Sequence, residues 1–271
     1  MTKNIWLFLL GVFLLFLAWP TFGTNTTPSG TKSTALHHIV VEWKGATYLV
    51  LEVAPEALQF FLENKEQQKF RSFKNLEQYL NDEKQQLLLA MNGGMYLPDQ
   101  NNEPQGLYIE DETVRKALEP LTSHRPKKTN FYLHPNGVFY IQTNGVAVVQ
   151  ANEAFQVVQE DKQYQGIKYA TQSGPMLVID KQLHPAFTPN SKNKHFRNAV
   201  GILPNGKVAL VLSQEQICFH DMATLFRDRL NCENALYLDG FVSRVYYPAL
   251  EAYNDAQQGN FGMIIGVTTP K

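Results

Sequence analysis

The chain has 271 residues, 44% of them hydrophobic and 12% aromatic, which is enough apolar material for a substantial core and too much for a disordered segment. Its 24 basic and 25 acidic residues leave a formal charge of −1, so there is no excess positive field to hold a nucleic acid backbone. The short basic run Arg125 to Lys128 therefore reads as a solvated loop, not a phosphate patch.

In chain order, Lys3 comes first and precedes a fifteen-residue apolar run, "IWLFLLGVFLLFLAW", which meets Pro20, Thr21 and Gly23. This pattern predicts a signal peptide over residues 1–23 and a periplasmic or secreted protein. The run is shorter than the roughly 20 residues that span a bilayer, so membrane attachment would come only through an uncleaved leader. No cysteine follows the run to carry a lipid anchor. Residues 24–35 are polar and rich in Thr and Ser, a flexible lead into a domain over 36–271.

Within that domain, "HHIVVEW", "ATYLVLEV" and "ALQFFLEN" alternate as strands do. Ser72 is placed to cap a helix whose apolar stripe is Phe73, Leu76 and Leu80. "QLLLAM" is short and evenly apolar, a buried strand ending at Asn92. Asn136-Gly137, between "FYLH" and "VFYIQ", and Asn205-Gly206, between "VGIL" and "KVALVL", predict tight hairpins with paired positive φ values. Further strands are expected at "VAVVQ", "PMLVI", "ALYLD" and "GMIIGV". Between Cys218 and Cys232, apolar residues Phe219, Met222, Leu225, Phe226 and Leu230 recur at helical spacing. A helix of that length holds its ends on the order of 15 to 20 Å apart, whereas a disulfide needs Cα atoms within about 7 Å, so two unpaired, buried thiols are expected. The series predicts an α+β fold: a single domain of mostly antiparallel β-sheet with a few helices.

Four segments share a form in which an apolar strand ends in a polar residue beside a glycine or another polar side chain: Asn92-Gly93-Gly94, Ser173-Gly174-Pro175, Arg197-Asn198 and Asp239-Gly240. Each alone is explained as a turn or a surface cation, but the set points to strand ends converging on a ligand. Glu215, beyond the strand "KVALVLS", is a second carboxylate to weigh beside Asp239. Arg244 is either a second cation or a packing contact over neighbouring tyrosines. The seven histidines are scattered, and no pair has the spacing of a helical zinc site. No cofactor is expected, although carboxylates and carbonyls leave room for a structural calcium.

The segments "MNGGMY", "PQGLYIE", "ATQSGPMLVID", "RNAVGILPNGKVALVLS" and "FHDMATLFRDRLNCENALYLDGFVSRVYYP" resemble the phosphodiester glycosidase family, which includes the lysosomal uncovering enzyme, and most of all its compact exported bacterial branch. Two departures are Gly93, where many members carry alanine, and Phe241, where the uncovering enzymes have another glycine. The resemblance implies cleavage between an anomeric carbon and a phosphodiester oxygen, with a sugar-phosphate glycan as substrate. A phosphate monoester leaves without much protonation, so fixed cations and N–H donors matter more than a general acid. Asp239 is the first choice of catalytic carboxylate and Glu215 the second, with Arg197 offering a guanidinium fork to phosphate. Asn92, Gly93, Gly94, Met95, Ser173, Gly174, Asn198 and Gly240 would line the substrate. The alternatives are a non-catalytic binding protein for anionic glycans and a phosphodiesterase that breaks the P–O bond.

Overall fold

The computed structural model describes residues 36–119, 135–159, 162–240, 242–254 and 259–271. The expected leader over residues 1–35, the basic run at Arg125, the segment "FYLH" and Phe241 lie outside them.

Side-chain alternation along the strands builds three large sheets around one shared core, and Tyr96–Leu97 pairs with Glu103–Pro104 in a separate two-stranded ribbon. In strand Val208–Ser213, Val208, Leu210 and Leu212 enter that core while Ala209 and Val211 face the other way. Phe139 and Ile141 of strand Gly137–Gln142 join it from a second sheet, and Leu89 and Met91 of strand Gln85–Asn92 from a third. Each outward face is covered by one helix. Helix Phe219–Thr224 packs Phe219 and Met222 beside Ala209 and Val211, and helix Phe73–Asp82 packs Phe73, Leu76 and Leu80 against Leu87 and Ala90. Helix Asn152–Gln159 inserts Phe155 beside Val138 and Tyr140.

The largest sheet has seven strands in the order His37–Trp43, Ala46–Val53, Val208–Ser213, Asn198–Ile202, Ala235–Asp239, Met176–Ile179 and Gln182–Leu183. Strand Ile167–Ser173 is central in a five-stranded sheet, and strand Gln85–Asn92 pairs with Val245–Tyr246 and Ile264–Pro270 in a four-stranded one. Every pairing among the described residues is antiparallel. With three helices set outside these sheets, the α+β reading holds.

Ser72 caps its helix as expected, its hydroxyl accepting from the Asn75 amide at 3.2 Å. Both cysteines are free and buried. The segment between them is helical but not uniform: residues Phe219–Thr224 are α-helical, and Leu225–Arg229 widen into a π turn closed by Leu230 N–H donating to the Leu225 carbonyl at 3.0 Å.

Two turn expectations are corrected. At Asn205-Gly206 only the glycine has positive φ, 80°, and the Gly206 amide donates to the Leu203 carbonyl at 2.9 Å. Pro204 occupies the second turn position, and Gly206 then forms a bulge, so the loop is one residue longer than a paired-positive-φ turn. Gly137 is no turn residue. It opens its strand, opposite Ala151 on one side and Ser173 on the other. A Cβ there would collide with Met176 and Leu236, so close packing and not backbone freedom calls for glycine.

Candidate active site

Strand ends from the three large sheets meet at one place. Asn92 closes its strand in the four-stranded sheet, Ser173 closes its strand in the five-stranded sheet, and Asp239 ends beside the start of the Asn198 strand in the seven-stranded sheet. A register shift between Asn198 and Ala199 falls at this end of the pairing and re-aims Asp239, as bulges do at strand rims.

The Asn92 amide joins the group together. Its Nδ2 donates to Asp239 Oδ2 at 2.9 Å, while its Oδ1 accepts from Asn198 Nδ2 at 3.0 Å and from the Arg244 backbone amide at 2.9 Å. A backbone N–H can only donate, so Oδ1 must face Arg244 and Nδ2 must face the carboxylate. Asn198 completes the ring: its Nδ2 also donates to the Asn92 carbonyl at 2.7 Å, and its Oδ1 accepts from the Asp239 amide at 2.8 Å. Asp239 Oδ1 accepts from the Gly240 amide at 2.6 Å. The Ser173 hydroxyl donates to the Leu238 carbonyl at 2.8 Å, and the Ser243 hydroxyl to the Asp239 carbonyl at 2.9 Å. Asn92, Asn198 and Ser173 are buried; Asp239 and Gly240 keep partial exposure.

Burial pushes the Asp239 carboxyl up from 3.8 to about 6, against the pull of the Gly240 amide and the Asn92 side chain. Tyr96 stands close enough that the Asp239 charge, after burial, raises its hydroxyl as well. The glycines serve close approach. A Cβ on Gly93 would collide with Met263 and Ile265, one on Gly94 would lie 2.6 Å from Thr171 Oγ1, and one on Gly240 would collide with the Tyr237 hydroxyl. Gly174 is buried ahead of Pro175, whose carbonyl accepts from the Tyr237 amide at 3.1 Å. Met95 packs partly buried against the core on the helix side of the seven-stranded sheet.

Arg197 and Glu215 sit differently from the sequence expectation. Arg197 is 1% exposed and turned inward. Its Nε donates to the Ile217 carbonyl at 2.9 Å, Nη2 to Asn193 Oδ1 at 3.1 Å and to the Asn193 carbonyl at 3.2 Å, and Nη1 to the Tyr237 hydroxyl at 3.3 Å. The guanidinium also lies over the Phe219 ring, 3.6 Å from its centroid. It presents no fork to solvent, and the Tyr237 hydroxyl that it bonds abuts Gly240, the residue after Asp239. Burial lowers its pKa, and the Tyr237 hydroxyl counters the effect. Glu215 is exposed at the same edge of the seven-stranded sheet, beyond strand Val208–Ser213, where Oε2 accepts from the Thr47 amide at 2.7 Å. It is not hydrogen-bonded to the Asn92, Asn198 and Asp239 group among the described residues.

The sequence profile of phosphodiester glycosidases matches residues 85–268, a span that contains every strand end of this site. The chain belongs to the phosphodiester glycosidase family. An uncharacterized Escherichia coli protein, YigE, is 38% identical over 161 residues, which cover 59% of this chain and 58% of that protein; the match thus spans less than two thirds of the relative. The catalytic domain of zebrafish N-acetylglucosamine-1-phosphodiester alpha-N-acetylglucosaminidase, auto-inhibited by its pro-peptide, shares the fold with TM-score 0.59 at 12% identity, over 86% of this chain and 81% of that one. A hypothetical protein from Synechocystis aligns with TM-score 0.52 at 12% identity, over 86% and 62%.

Two members of this candidate site were not singled out from sequence, although signals for both existed. Tyr237 lies two residues before Asp239 in "ALYLD", where strand alternation gives it the same face. Ser243 follows Asp239-Gly240 at the spacing of a hydroxyl that bonds back into its own turn. Among the described residues no group of three His, Cys, Asp or Glu side chains is placed to hold a metal ion, and no helix is long and apolar enough to cross a membrane.

Proposed function

We propose that this phosphodiester glycosidase family member is an exported hydrolase of sugar-1-phosphodiesters that breaks the bond between the anomeric carbon and the phosphodiester oxygen. The observation that carries the reading is that Asp239 is the single carboxylate, among the described residues, in the hydrogen-bonded group of strand ends. Ordinary glycosidases place two carboxyl groups about the scissile bond because an alkoxide must be protonated as it leaves. Here the hydrogen-bonded group contains Asp239 alone, flanked by amides. That set suits a phosphate monoester, which departs with its own negative charge. The zebrafish enzyme of similar fold is named for the same class of bond, which supports the assignment.

In this reading, ionised Asp239 faces the anomeric carbon and stabilises the positive charge that develops there. The C1–O bond breaks and its electron pair leaves with the phosphate. Water adds to C1, its proton passes to Asp239 and then to solvent, and the products are a free sugar and a phosphomonoester. Arg197 acts at one remove, holding the Tyr237 hydroxyl against Gly240 and so fixing the turn that donates to the carboxylate. Export is read from the first 23 residues, and the substrate would be an envelope or exopolysaccharide glycan.

Hydrolysis in ¹⁸O water tests the bond position. Label should appear in the sugar C1 hydroxyl; label in the phosphate would make the protein a phosphodiesterase. The variant Asp239→Asn should lose about 10²- to 10⁴-fold in turnover while still binding substrate. A parent protein that binds sugar-1-phosphodiesters without turning them over would instead be a binding protein.

A further inference from the structure

Beside the Asp239 turn lies a cavity of about 470 Å³, within the range of about 300–1,000 Å³ usual for small-ligand sites. It is lined by Ser213, Gln214, Ser243, Arg244, Phe196 and Tyr253, among others. Its position is fixed by the site itself, since the Arg244 amide is held by Asn92 Oδ1 at 2.9 Å and the Ser243 hydroxyl by the Asp239 carbonyl at 2.9 Å. Ser243 and Arg244 thus belong both to the Asp239 hydrogen-bonded group and to the wall of this cavity.

The lining has two kinds of surface. Arg244 is exposed and has no ion-pair partner among the described residues; its Nη1 donates to the Ser243 carbonyl at 2.9 Å, which steadies the guanidinium and leaves its Nε and Nη2 donors without a protein hydrogen bond among the described residues. A larger cavity of about 670 Å³ elsewhere differs in this respect, because its cations Lys181 and Arg227 are paired with Glu233 at 3.4 Å and with Asp228 at 2.6 Å. Against the Arg244 charge stand two aromatic rings: Phe196, 40% exposed where most phenylalanines are buried, and Tyr253, which is partly buried. Glu215 is tied to the Thr47 amide and does not line the space. A neutral or cationic ligand would leave Arg244 unmatched, and a bare phosphate would leave the aromatic walls unused.

We propose that this cavity is the subsite for the leaving half of the substrate, with Arg244 holding the phosphate and Phe196 and Tyr253 bracketing the ring of a sugar esterified to it. The assignment of the leaving half rests on the proposed hydrolysis, but occupancy by a sugar phosphate does not require turnover. Arg244, not Arg197, is then the cation that meets the phosphate, because its guanidinium reaches solvent.

Calorimetric titration with glucose 6-phosphate, inorganic phosphate and glucose tests this. The parent should bind glucose 6-phosphate more tightly than either fragment. Arg244→Gln should weaken both phosphate-bearing probes by about ten- to a hundred-fold, with Arg244→Lys in between. Phe196→Ala should bring glucose 6-phosphate roughly ten-fold closer to inorganic phosphate and leave inorganic phosphate unchanged. Both side chains are exposed, so the variants should fold, and their thermal midpoints check it. No saturable binding of glucose 6-phosphate to the parent, or equal affinity in Arg244→Gln, overturns the subsite. The labelling experiment reports separately on the reaction: binding as described without hydrolysis keeps the subsite and removes the hydrolase reading, whereas hydrolysis with binding unaltered in Arg244→Gln does the reverse.

Discussion

Replacing Asn92 by alanine isolates the contact on which the carboxylate depends. The variant removes the Nδ2 donor 2.9 Å from Asp239 Oδ2 and leaves the 2.6 Å bond from the Gly240 amide. A hydrogen bond to a charged group contributes about 1.5–3 kcal/mol, which is about 1–2 pKa units at 1.36 kcal/mol per unit. Asp239, already raised to about 6, should then titrate at about 7–8. In the proposed mechanism the ionised form is the working one, so kcat/KM of the parent should fall as pH drops through about 6, and in Asn92→Ala the same limb should lie about 1–2 units higher.

Stability must follow the same shift. The folded parent holds this proton more tightly than an unfolded chain, whose aspartates titrate near 3.8, so ionising Asp239 lowers stability as pH rises from about 4 through about 6, by up to about 3 kcal/mol. In Asn92→Ala that decline should continue to about pH 8. The bonds to Asn198 at 3.0 Å and Arg244 at 2.9 Å are lost at every pH, about 0.5–1.5 kcal/mol each. Thermal unfolding at about pH 5 and about pH 9 should therefore show a parent-to-variant gap that widens on the alkaline side. A gap of equal size at both pH values, with the acid limb unmoved, would refute the claim that Asn92 supports the ionised carboxylate.

Other expectations follow from the same geometry. Gly240→Ala should cost about 1–3 kcal/mol and lower activity, because the new Cβ meets the rigid Tyr237 hydroxyl; unchanged melting and turnover would show that the ring yields freely. Arg197→Lys should lose the Nε bond to the Ile217 carbonyl and the stacking on Phe219, lowering the thermal midpoint while leaving binding of inorganic phosphate intact; a loss of phosphate affinity would mean that Arg197 itself meets the anion. Native protein should react slowly with a thiol reagent and expose two thiols on denaturation without reductant, since both cysteines are buried and burial pushes Cys232 up to about 12; one or no thiol after denaturation would indicate a cross-link.

The strands were legible wherever alternation was strong, as in "ATYLVLEV", and the convergence of Asn92, Ser173, Asn198 and Asp239 followed from four strand ends carrying polar residues beside glycine or each other. What the sequence could not supply was direction. Arg197 and Arg244 both adjoin residues of the site, yet one is buried over Phe219 and the other exposed, a difference set by packing from the Phe219 helix that no local pattern encodes. Gly137 shows the same limit, since asparagine before glycine is a turn signal whether the glycine is needed for its φ or for want of a Cβ. Helix Asn152–Gln159 buries one apolar side chain, Phe155, too little periodicity to announce itself.

The Asn92 amide touches residues that follow it by 106, 147 and 152 positions in the chain. No excised loop or peptide shorter than that interval contains the arrangement, so it could not be transplanted to another scaffold by grafting one segment. Nor could drift in any single loop dissolve it gradually. The chemistry belongs to how three sheets are stacked, and a variant that altered their mutual spacing at a distance would be felt at the carboxylate before any residue around it had changed.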